Sequence, residues 1–89
     1  MTESEVVAKV REFIVDNLLY MRPGFVLGDD DRLLEGRILD SMGVVEVLTF
    51  LTTEFGIRVP EADIRESNFG SLRAIARYAM ESLTAAKGA

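Results

Sequence analysis

Asp40 and Ser41, in the stretch Arg37-Ile38-Leu39-Asp40-Ser41-Met42-Gly43-Val44-Val45-Glu46, are the side chains whose types and placement could do chemistry. They stand where a long loop gives way to an apolar period of helical spacing. A serine there could cap a helix, act as a nucleophile, cradle a phosphate, or carry an attached group. Capping is open to both residues, since Asp and Ser accept bonds from the free N–H groups of a first helical turn. A reciprocal capping box is incomplete, because Gly43 and Val44 stand three residues on, where Glu or Gln is needed. Nucleophilic catalysis needs a base beside the hydroxyl, and with no histidine in the chain the nearest candidate is Asp40, a poor base at neutral pH. A phosphate cradle needs a Gly-rich loop with lysine, which is missing here, and Asp40 would repel the anion. Attachment asks least of the sequence: a hydroxyl at the mouth of a helix, modified by a separate enzyme. The helix dipole favours a phosphodiester at that position by about 0.3–1 kcal/mol, which tolerates the group without driving its addition.

Composition narrows the function classes further. The 89 residues, 48% of them hydrophobic, suffice for one small core, so one domain is expected, with a core over about 5–84 and a flexible tail over 85–89. Without His or Cys there is no catalytic triad, no thiol nucleophile and no imidazole or thiolate zinc site, so no self-sufficient enzyme and no metal centre is expected. Ten basic residues against fifteen acidic ones give a net charge of -5 with the arginines scattered. Phosphate binding needs a concentrated positive face, so nucleic acid is not the expected partner and a basic protein surface is. The longest apolar run, Leu18 to Met21, cannot span a bilayer, and the acidic start does not read as a secretory signal. A cytoplasmic monomer with no membrane partner is the expectation.

Three amphipathic helices must position Ser41. Over 5–20, Val7, Val10, Ile14 and Leu18 repeat at three and four residues, with Val6 and Phe13 widening the stripe, until Met21-Arg22-Pro23-Gly24 ends the element. Residues 22–39 have no sustained period. Their apolar members Phe25, Val26, Leu27, Leu33, Leu34, Ile38 and Leu39 predict an ordered crossover packed along the bundle. From Ser41 to Phe55 one face carries Val44, Val47, Leu48, Leu51 and Phe55, with Phe50 on its flank and Gly56 as a C-terminal cap. Met42, Val45, Glu46, Thr49, Thr52 and Thr53 fall on the other side. A short apolar segment at Ile57, Val59 and Ile64, with Pro60 suited to a helix start, predicts a turn or two. Gly70 or Ser71 can cap a last helix through Leu72, Ile75, Ala76, Ala79 and Leu83. The sum is an all-α fold, a small antiparallel four-helix bundle of three longer helices and one short, with a long first crossover.

The order of these elements, with Leu39-Asp40-Ser41-Met42, then Glu54-Phe55-Gly56-Ile57, Val59-Pro60 and Asn68-Phe69-Gly70-Ser71-Leu72, resembles the acyl carrier protein family from about Val6 to Leu83. In that family the serine matching Ser41 carries 4'-phosphopantetheine, donated from coenzyme A by a Mg-dependent phosphopantetheinyl transferase. Acyl groups ride on the arm's thiol as thioesters. The resemblance implies a discrete carrier without a catalytic site. Its partners would be that transferase, an acyl- or aminoacyl-loading enzyme, and a downstream acyltransferase, ketosynthase or condensing enzyme. Asp40, Met42, Val45, Glu46 and Thr49 would be the docking face. Carriers of primary fatty acid synthesis are more acidic along the second helix, where Gly43, Thr52 and Thr53 stand here, so docking should lean on apolar contact. Ile38-Leu39 replaces the Gly-Gly of peptidyl carriers. Stand-alone D-alanyl carriers match Leu39-Asp40-Ser41-Met42-Gly43 but not the Asn-Phe-Gly-Ser-Leu segment. A natural-product pathway such as polyketide synthesis fits the pattern best; an aminoacyl, peptidyl or D-alanyl carrier is the alternative. A plain interaction bundle with Asp40-Ser41 as a cap is the alternative of another class. Asp29-Asp30-Asp31 misses calcium-loop spacing, with Leu33 and Leu34 where a ligand and a glycine are required, and reads as a solvated loop face that could meet basic partner residues.

Overall fold

In a computed structural model, which describes residues 2–19 and 26–88, the chain forms a small helical bundle. The first helix, α1 (Glu3–Asn17), begins at Thr2, whose Oγ1 accepts from the Glu5 N–H at 3.2 Å. It buries the expected stripe of Val6, Val7, Val10 and Ile14. Its end comes sooner than the range 5–20. The Leu18 and Leu19 N–H groups both donate to the Ile14 carbonyl, at 2.8 and 3.0 Å, which closes the last turn and lets Leu19 bend into the core. Met21-Arg22-Pro23-Gly24, the expected stop, lies outside the described residues.

The crossover over 26–40 lies packed along the bundle, as its apolar residues require. Leu27, Leu33 and Leu39 are as buried as helical core residues, and Leu34 and Ile38 pack partly against them. Backbone bonds hold it: Leu33 N–H donates to the Gly70 carbonyl at 2.8 Å and Leu39 N–H to the Leu33 carbonyl at 2.9 Å. Gly36 is required within it, because a Cβ there would lie 2.4 Å from the Arg32 carbonyl oxygen. Val26 departs from the expectation and is 85% exposed.

The aspartate run of the crossover is solvent-facing as expected, with Asp30 and Asp31 exposed and Asp29 half-buried, and the structure adds partners within the chain. Two of the three carboxylates are engaged by the chain's own arginines. Arg11 reaches Asp29 and also donates to the Leu27 carbonyl, while Arg73 donates to Asp30 at 2.8 and 3.2 Å. Asp31 turns back to accept from the Gly28 N–H at 2.8 Å. The loop is thereby clamped between α1 and the last helix. The Arg73 guanidinium holds the Asp30 carboxyl below its ordinary value, chiefly by hydrogen bonding.

The second helix, α2 (Ser41–Phe55), buries Val47 and Leu51 with Val44, Leu48, Phe50 and Phe55 packed partly against the core. Gly56 ends it in the left-handed region at φ 70, which only glycine enters without strain. Beyond it, Glu61–Asp63 make one 3-10 turn after Pro60, and the short helix α3 (Glu66–Phe69) follows. The expected turn after Pro60 is thus present at Glu61–Asp63, and a separate α-helical turn lies later. Phe69, fully buried with its ring centroid 5.4 Å from that of Tyr78, is the residue that fixes α3, and Asn68 Nδ2 donates to the Asp63 carbonyl at 2.9 Å. Tyr78 donates its hydroxyl to Asp63 at 2.7 Å, and burial pushes its pKa up.

The last helix, α4 (Leu72–Gly88), is capped by Ser71, whose Oγ accepts from the Ala74 N–H at 3.1 Å. Its apolar face of Leu72, Ile75, Ala76 and Ala79 is fully buried. The helix is assigned as far as Gly88. Helix α1 packs against α4 and α2, and α3 packs on α4. No polar or charged residue is buried among the described residues, so the core is wholly apolar. No helix among them is long and apolar enough to cross a membrane.

Candidate attachment site and its exposed face

The start of α2 settles which of Asp40 and Ser41 caps the helix. Asp40 adopts extended backbone at φ -90 and ψ -173, and its Oδ1 accepts from the Gly43 N–H at 2.7 Å. Ser41 is then the first residue inside the helix. Its side chain is exposed, and its hydroxyl makes no hydrogen bond among the described residues. The division follows from geometry, because a cap needs extended dihedrals and a side-chain oxygen that reaches forward to the third residue. Asp40 takes the structural duty and Ser41 keeps a free oxygen.

Two buried anchors hold this junction. Leu39, immediately before the cap, is 4% exposed, and Gly43 is buried one turn later. A Cβ on Gly43 would meet Leu39 Cδ2 at 3.3 Å and Leu18 Cδ1 at 3.6 Å, so the missing side chain lets the crossover and the end of α1 approach the first turn of α2 closely. Sequence reasoning assigns Gly43 no packing role. The sign that could have marked it is a glycine inside an otherwise apolar helical period. Ser41 therefore projects from a junction fixed on both sides by packing.

Beside the serine lies an apolar and polar face. Met42 is 69% exposed and Val45 54%, and Glu46 and Thr49 are exposed along the same side. Thr49 Oγ1 donates to the Val45 carbonyl at 3.0 Å, which occupies its proton, so toward a partner Thr49 offers an acceptor oxygen and a methyl group. All five residues expected at the docking face, Asp40, Met42, Val45, Glu46 and Thr49, are exposed on the first two and a half turns of α2 or at its cap. Val26, the most exposed large apolar residue described, has no local signal that sets it apart from its packed neighbours in the crossover.

The arrangement fits a group attached through oxygen. The hydroxyl is accessible, uncommitted and at the positive end of a fifteen-residue helix. It does not fit acyl transfer by this chain alone: the one carboxylate adjacent to Ser41 in sequence is occupied in capping. No cluster of metal-ligating side chains occurs among the described residues.

No family model matches this chain, and no curated protein matches it. It is similar to a chain in a solved structure described as "Crystal structure of FAD-dependent dehydrogenase", with a TM-score of 0.72 and 28% sequence identity. The match covers 79% of this chain and 97% of that one.

Proposed function

We propose that the protein is a discrete carrier whose Ser41 bears 4'-phosphopantetheine and whose helix α2 presents the loaded arm to partner enzymes. The observation that carries the reading is the division of labour at the start of α2: Asp40 satisfies the helix, and Ser41 stays exposed with its oxygen unused. In the attaching step, Ser41 Oγ bonds to the phosphorus of the phosphopantetheine moiety of coenzyme A. The pyrophosphate P–O bond breaks, adenosine 3',5'-bisphosphate leaves, and the serine proton passes to a base of the transferase. The arm supplies a thiol, which this cysteine-free chain lacks and which can hold acyl units as thioesters. What the chain does is orient: Leu39 and Gly43 fix the angle of the anchor, and Met42 and Val45 offer apolar contact to a docked enzyme.

Natural-product synthesis, such as a polyketide pathway, remains the favoured setting, because α2 carries only Glu46 and Glu54 as acids. The likeness to a chain in a structure described as an FAD-dependent dehydrogenase is a likeness of fold and carries no activity to this chain.

The test is intact mass after incubation with coenzyme A, Mg2+ and a promiscuous phosphopantetheinyl transferase. One phosphopantetheine should add to the wild-type chain and none to Ser41→Ala. A folded wild-type sample that gains no mass returns Asp40-Ser41 to the role of a helix start in an interaction bundle.

A further inference from the structure

A groove runs between α1 and α2, floored by residues at the edge of the core and reaching at one end Glu46 and Thr49 of the exposed face beside Ser41. Its floor is Phe13 stacked on Phe50, with ring centroids 4.5 Å apart and planes 26° from parallel, and both rings are only half-buried. Two open hollows of about 280 and 430 Å3 adjoin this pair. Four carboxylates rim them: Glu12 and Asp16 from α1, Glu46 and Glu54 from α2. Lys9 is the one cation of the lining described, and it is bonded to Glu54 at 3.3 Å. Glu12, Asp16 and Glu46 form no ion pair among the described residues.

We infer that this groove docks a helix of a partner protein, one carrying an aliphatic or aromatic side chain with Lys or Arg a turn to either side. Charge complementarity decides the occupant. Half-exposed aromatic rings attract an apolar anchor, and a rim with three uncompensated carboxylates rejects an acidic surface, including a second copy of this chain at net charge -5. Cations flanking the anchor would pair with the rim and lie against the ring faces. The length agrees: from Lys9 to Asn17, and from Glu46 to Glu54, eight residues of α-helix rise about 12 Å, enough for two turns of a partner helix. Glu46 lies about 7.5 Å along the axis from Ser41, so a protein seated here is within one and a half turns of the serine. Docking in the groove does not require Ser41 to be modified.

The experiment titrates the 15N-labelled full chain, carrying Ser41→Ala so that no arm intervenes, with a 16-residue helical peptide of Leu and Lys at helical spacing. A counterpart peptide has Glu in place of Lys. Amide shifts should cluster at 9–17 and 46–54, and the Glu peptide should not bind. Glu12→Gln with Asp16→Asn should raise Kd about tenfold. Glu61→Gln with Glu81→Gln, which removes the same charge elsewhere, should change Kd less than twofold. Shifts centred on 61–66 or spread over the surface, or equal weakening by the two pairs of substitutions, would overturn the inference. So would equal binding of the Glu peptide, or self-association of the chain through this face.

Discussion

The competition between two adjacent side chains for one helix terminus determines what Ser41 can do. Had Ser41 been the cap, its oxygen would have been turned toward the backbone and engaged; with Asp40 capping, replacing either residue should have separable effects. Ser41→Ala is expected to abolish attachment while changing stability by no more than about 0.5 kcal/mol, since the exposed hydroxyl touches nothing that the fold needs. Asp40→Ala should cost about 1 kcal/mol through removal of the cap. Urea unfolding and intact mass on the same two proteins check both. Val45 provides a third measurement: if its exposed side chain is buried by the transferase, Val45→Ser should raise KM for modification about tenfold with kcat unchanged. The increase should vary little with ionic strength, because the substitution removes apolar burial and no charge.

At the scale of elements, the crossover over 26–40 behaves as part of the core although it has no regular period. Leu33 is 0% exposed and its N–H is bonded to the Gly70 carbonyl, which joins the crossover to the junction of α3 and α4. Leu33→Ala should therefore destabilise by about 2–5 kcal/mol, the cost of a core helix position, measured by denaturant midpoint with the slope unchanged. The sequence shows that this segment is apolar enough to pack. It does not show the clamp, because Arg11 and Arg73 lie 18 and 43 positions from their carboxylates and no local period announces such pairs. Likewise the turn after Pro60 follows from proline and apolar spacing, which are local signals, whereas α3 forms where Phe69 finds the ring of Tyr78 and no local period announces it.

Across the whole molecule, the ionic clamp ties loop integrity to pH. The Asp30 carboxyl is held below its ordinary value of 3.8 by Arg73, so its contribution is present above pH 3.8 and is lost as pH falls through the lowered folded value. Asp30→Asn should remove that part of the acid-dependent loss of stability and leave the neutral-pH midpoint little changed, because both groups are exposed and screened; thermal melts between pH 2 and 7 read the difference. The amino-acid sequence by itself determined the helical periods, the all-α class, the absence of histidine and cysteine chemistry, and the presence of an Asp-Ser pair at a helix mouth. These follow from residue type and local spacing, which act over a few positions of chain. Only the tertiary structure decided which member of the pair caps the helix, that Asp29 and Asp30 meet the chain's own arginines, and that Phe13 and Phe50 meet beneath an acidic rim. Those outcomes depend on groups distant in sequence arriving within a few ångströms of one another, and that proximity is created by burial of the shared core.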